Sequence, residues 1–90
     1  MDRITSMRVF VRAAGAGSLS AAGRHLGMSA AMATKHVNAL EARLGVKLFR
    51  RSTRRLSLTE AGSTYLEACQ RILPDIDEAE AAVSSQRIKA

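Results

Sequence analysis

Ninety residues, 47% of them hydrophobic, fit one small domain, but two Phe and one Tyr leave its core to Ala, Leu, Val, Ile and Met. A single cysteine, Cys69, excludes an intramolecular disulfide and a Cys-based zinc cluster. With no apolar run long enough for a bilayer and no signal-peptide pattern, a reduced cytoplasmic protein is expected, without cofactor, metal or membrane partner.

The net charge of +6 is unevenly spread: residues 1–55 hold eleven bases against Asp2 and Glu41, which is +9, and the remainder holds three bases against six acids, which is −3. A basic head on an acidic tail is what a polyanion-binding unit beside a pairing element would look like.

In chain order, Ile4, Met7, Phe10, Val11 and Ala14 recur at helical spacing, so a first helix runs from about Asp2 to Ala14 and ends at Gly15 and Gly17. Ser18 is placed to cap a short second helix, Leu19 to Leu26, which Gly27 stops. After Met28, Ser29 caps a third helix whose buried stripe is Ala33, Val37, Leu40 and Leu44, closed by Gly45. Two helices around a tight Gly-containing turn, with a helix before them, make a helix-turn-helix unit.

Two short strands follow, Val46 to Arg51 and Arg55 to Leu58, around a Ser52-Thr53-Arg54 turn; Leu56 and Leu58 alternate with Arg55 and Ser57. A basic hairpin directly after the third helix reads as a wing lying beside a groove, on phosphate or in the minor groove. Thr59 can cap a last long helix, along which Gly62, Tyr65, Cys69, Ile72, Ile76, Ala79 and Val83 step by three or four. That is a seam for pairing with another helix. Pro74 lies off the seam and predicts either a kink or two shorter helices meeting near Leu73. The fold class is therefore mainly α: a winged helix-turn-helix of three helices plus a two-stranded wing over 1–58, then a linker and dimerisation helix over 59–90.

These residues are familiar as a set. Phe10-Val11 through Gly17-Ser18-Leu19-Ser20-Ala21-Ala22, Leu26-Gly27-Met28-Ser29 and Val37-Asn38-Ala39-Leu40-Glu41 come first. Leu44-Gly45-Val46-Lys47-Leu48-Phe49-Arg50-Arg51 and Arg54-Arg55-Leu56-Ser57-Leu58-Thr59-Glu60-Ala61-Gly62 follow. Together they resemble the DNA-binding region of LysR-type transcriptional regulators over nearly the whole chain. The resemblance implies a linker helix that pairs two subunits. It also implies a larger C-terminal domain that binds a small-molecule inducer; that domain is absent from this sequence, which reads as a DNA-binding fragment. Many members carry Gln or Pro after the serine matching Ser29, whereas this chain has Ala30-Ala31. Readout there must come from apolar contact with thymine methyls or from shape.

A helical projection at about 100° per residue puts Lys35 opposite the buried stripe, flanked by Ala31, Asn38, Ala39 and Ala42, with Met32 and Thr34 at the edges. Lys35 could donate to guanine O6/N7 or to phosphate, Asn38 to adenine or phosphate, and Met32 could touch a methyl. Ser18 and Ser29 can bind phosphate as well as cap. In the wing Arg54 is the first candidate for phosphate, then Arg51 and Arg55, with Arg50 as spacer charge. Glu41 is expected to face away from DNA, paired with a nearby arginine. Tyr65, Cys69, Ile72, Ile76, Ala79 and Val83 would form the homodimer interface.

The expected partner is double-stranded DNA with two-fold symmetry, and an inducer would act only through the missing domain. His25 and His36 have no metal-ligand company and no nucleophile beside them, so no catalytic residue is expected. The rival is an interaction scaffold that works through the long helix and binds DNA indifferently to sequence. An RNA-binding module lacks a stacking platform, because Phe10 and Phe49 fall in core patterns.

Overall fold

A computed structural model describes the backbone of residues 1–52 and 55–89 and the side chains of those up to residue 86. Among them the order is α1 (Arg3–Ala16), α2 (Leu19–Leu26), α3 (Ala30–Leu44), β1 (Phe49–Arg51), β2 (Leu56–Leu58) and α4 (Glu60–Lys89). Each of the first three helices opens on a short polar side chain that takes up an otherwise unpaired backbone N–H. Asp2 accepts from Ile4 N and Thr5 N, Ser18 Oγ from Ala21 N at 3.2 Å, and Ser29 Oγ from Met32 N at 3.1 Å. α1 runs through Gly15, where an earlier end was expected, and stops at Gly17. A glycine inside a helix lowers its propensity without forbidding it, and here Gly17 supplies the left-handed turn.

The turn between α2 and α3 depends on a close approach. A Cβ on Gly23 would stand 2.7 Å from the Met28 carbonyl oxygen, so only glycine lets the turn fold back onto α2. Ala33, Val37 and Leu40 are buried as the spacing predicts. Leu44 is not: it remains 43% exposed in the last turn of α3, beside an exposed Val46. The chain leaves the helix there, and the described residues cover the end of the stripe only in part.

Phe10 organises the core. It is fully buried, with its ring 5.3 Å from that of Phe49 and 5.4 Å from that of Tyr65, which joins α1 to β1 and α4. All three aromatics of the chain are spent in this one cluster. A second bond inside the fold, Ser6 Oγ to His36 Nδ1 at 2.7 Å, ties α1 to α3.

The wing strands are shorter than the sequence pattern implied. They pair antiparallel, Phe49 with Leu58, Arg50 with Ser57 and Arg51 with Leu56. Upstream, the N–H groups of Leu48 and Phe49 go to the Glu41 carboxylate, at 2.8 and 3.3 Å, and the Leu48 carbonyl accepts from Thr59 N. With these two N–H groups held by a side chain, neither is free to extend the ladder. Thr59 closes the return: its hydroxyl donates to the Lys47 carbonyl at 2.7 Å and accepts from Gly62 N at 2.9 Å, capping α4.

α4 is one helix with Pro74 inside it, which decides between the two readings the sequence left open. Pro74 has no N–H to give the Gln70 carbonyl, but Leu73 is buried against the core and Ile76 packs on it. Just beyond, Arg8 grips Asp77 with two bonds of 2.8 and 3.3 Å. Residues 78–86 are exposed, and the molecule measures 53 × 25 × 21 Å. No described helix is long and apolar enough to cross a membrane.

Candidate nucleic-acid interface

The outward face of α3 carries Ala30, Ala31, Met32, Lys35, Asn38 and Ala42, all exposed, with Thr34 and Ala39 half-buried at its margins. Those side chains are small except for Met32, Lys35 and Asn38, so the helix presents a shallow profile with one long cation at its centre. Thr34 turns its hydroxyl back to the Ala30 carbonyl at 3.0 Å. The Ser18 and Ser29 oxygens accept cap bonds, and a hydroxyl that accepts still has its proton to donate. The first turn of α3 therefore offers backbone N–H groups, the positive end of a helix dipole and a hydroxyl donor.

Beside this face stands the wing. Arg50, Arg51 and Arg55 are exposed, and Ser52 and Arg55 close the hairpin through N–H to carbonyl and N–H to hydroxyl bonds, each 3.1 Å. Arg54, the first phosphate candidate from the sequence, and Thr53 of the same turn lie outside the described residues.

Glu41 joins helix to wing. Its side chain is 4% exposed, and besides the two backbone N–H groups it receives Arg51 Nη2 at 3.3 Å and stands 3.8 Å from Lys47 Nζ. Arg51 also donates from Nη2 to Asn38 Oδ1 at 2.9 Å. Glu41 faces away from the exposed stripe and pairs with an arginine, as expected, but its grip on the wing backbone went unseen in the sequence. The only acid between Asp2 and Glu60, seven residues before Leu48, is the signal that could have found it. The result is a cationic face whose nearest carboxylate is buried and compensated.

The seam on α4 divides. Cys69, assigned to an intermolecular interface by spacing, is 0% exposed within this chain's own core, and burial pushes its thiol pKa up. Tyr65 is half-buried on Phe10, where desolvation raises its hydroxyl pKa too, and Ile76 packs on the same core. Ile72, Ala79 and Val83 remain open. Regular spacing identifies an apolar stripe but not whether the covering helix is on the same chain, and α1 carries apolar residues on enough of its surface to cover part of it.

Residues 4–63 match the bacterial regulatory helix-turn-helix proteins of the lysR family. An HTH-type transcriptional repressor of Pseudomonas aeruginosa (strain UCBPP-PA14) is 46% identical over 92% of this chain and 26% of its own length. The HTH-type transcriptional activator AaeR of Escherichia coli (strain K12) is 42% identical over 87% of this chain and 25% of its own. The chain thus spans about a quarter of the length of the curated relatives it matches. Among solved structures, a CbnR DBD–DNA complex has a similar chain, with a TM-score of 0.86 and 34% identity over 97% of this chain and 99% of that one.

Proposed function

The chain belongs to the lysR family of bacterial helix-turn-helix regulators, and from that premise we propose that it reads double-stranded DNA for a transcription regulator that works as a pair of chains. α3 enters the major groove with its Ala31, Lys35, Asn38 and Ala42 stripe toward the bases. The wing arginines, Arg54 and Arg55 foremost, hold the neighbouring backbone or minor groove. Ser18 and Ser29 donate to phosphate at helix N-termini. The observation that carries this reading is the exposed, small-sided face around Lys35, flanked by basic side chains, with Glu41 withdrawn into the fold. A duplex suits it better than an unpaired strand, because the three aromatics sit in or against the core and none offers a stacking platform.

Two copies would meet along the open part of α4, at Ile72, Ala79 and Val83, and a site of two-fold symmetry follows from such a pair. Inducer binding belongs to a domain outside these residues, and the protein's place is on bacterial DNA. Of the two relatives above, one is named a repressor and the other an activator.

Selection from random duplex DNA at two salt concentrations tests the reading. A two-fold symmetric motif should emerge, with affinity falling as salt rises by about 0.9 in log–log slope per phosphate contact. Lys35→Ala should change which sites are enriched. No enrichment, with weak binding at either salt, would favour the scaffold reading instead.

A further inference from the structure

We propose that the Glu41–Arg51–Asn38 chain fixes the Asn38 amide so that this interface reads guanine, and not adenine, beneath Asn38. The proposal rests on α3 being the groove-facing helix. Asparagine reads adenine with two bonds, its oxygen accepting from the N6 amine while its nitrogen donates to N7. That needs the oxygen to face the base. Here the oxygen is taken: Arg51 Nη2 donates to Asn38 Oδ1 at 2.9 Å. A guanidinium only donates, so the amide atom facing it must be the oxygen, and Nδ2 lies on the other side of the amide.

Arg51 is itself held in place. The same Nη2 gives its other hydrogen to Glu41 Oε1 at 3.3 Å, and that carboxylate is 4% exposed and bound to the N–H groups of Leu48 and Phe49. A second lone pair remains on Oδ1, but an adenine amine using it would meet a fixed guanidinium, donor against donor. The side-chain groups here that make no bond among the described residues are therefore donors: the Lys35 ammonium, Asn38 Nδ2, and Arg51 Nη1 and Nε. Guanine O6 and N7 are two acceptors on one edge, and adenine offers one acceptor beside a donor. Arg51 is in this account a positioning residue for Asn38, and Asn38 a specificity-determining one.

The test compares base preferences selected from random duplexes by the 90-residue chain and by its Asn38→Ala and Arg51→Met variants. The base pair at which Asn38→Ala loses preference should be one whose guanine is favoured by the unaltered chain. Arg51→Met should move that same pair toward adenine by about tenfold, the scale of one bidentate contact. A merely structural Arg51 would weaken all sequences alike, and that result would overturn the proposal. So would an adenine at the Asn38-dependent pair, or no pair dependent on Asn38; both are read without the Arg51 variant should it fail to fold. A motif with either of these features leaves the DNA-reading function standing, whereas no motif from the unaltered chain removes that function and this inference together.

Discussion

At Cys69 and Glu41 two ionisable side chains are buried in a small basic domain, and each is tolerated for a different reason. Glu41 is accommodated in the interior because two backbone N–H groups, an arginine and a lysine surround its carboxyl oxygens; a hydrogen bond to a charged group contributes about 1.5–3 kcal/mol. Cys69 is buried as a neutral thiol, with its pKa raised chiefly by desolvation. A folded pKa above the unfolded one means that this contribution to stability is full below the unfolded pKa and is lost as pH rises through the folded one. Iodoacetamide should thus label Cys69 slowly in the folded chain at pH near 8, at the rate of a free thiol only once denaturant unfolds it. Labelling as fast before unfolding as after would contradict the packing of α4 on α1. Lys35, Ser18 and Ser29 were legible from spacing alone, since an exposed helix face and a cap depend only on neighbours in sequence. The work of Glu41 was not legible, because its partners lie six to ten residues away across a turn whose path the sequence does not state.

Helices and wing meet at glycines whose roles differ by environment. Gly62 in the first turn of α4 lies against the Leu48 carbonyl so closely that a Cβ would overlap the oxygen, while Gly15 in α1 has nothing within 4 Å of where a Cβ would stand. The same substitution should therefore act in opposite directions. Gly62→Ala is expected to lower stability by about 1–3 kcal/mol, as overpacking does, and Gly15→Ala to raise it by up to about 1 kcal/mol through helix propensity. Thermal unfolding followed by circular dichroism measures both; equal shifts would mean that the Thr59 and Leu48 junction is looser than described. The elements themselves were largely readable: three capped helices, a basic hairpin and a long last helix follow from period and punctuation. Their edges were less so. Leu44 fits the buried stripe but falls where α3 ends, and the strands begin only at Phe49, where Glu41 holds the N–H groups of Leu48 and of Phe49 itself.

Across the whole molecule, charge and shape divide the chain at the same place. Most of the basic residues lie on α1 to α3 and the wing, and the acids lie mostly along α4, which extends past its last hold on the core at Ile76 and Asp77. The Arg8–Asp77 pair is partly exposed, 34% and 59% at the two side chains. It contributes at most about 1 kcal/mol, so apolar packing by Leu73 and Ile76 holds the helix there. What remains exposed of the stripe is Ile72, Ala79 and Val83, the surface proposed above for a second copy. The apolar stripe of the long helix could be read from the sequence, but its division could not, because a covering partner in the same chain and one in another leave the same periodicity. Hydroxyl-radical footprinting on a selected duplex asks whether α3 and the wing of two paired chains read DNA. Two protected patches of two-fold symmetry should appear on one face of the duplex, their centres about 34 Å, or a multiple of it, apart. A single unsymmetrical patch, or uniform protection without a boundary, would contradict it.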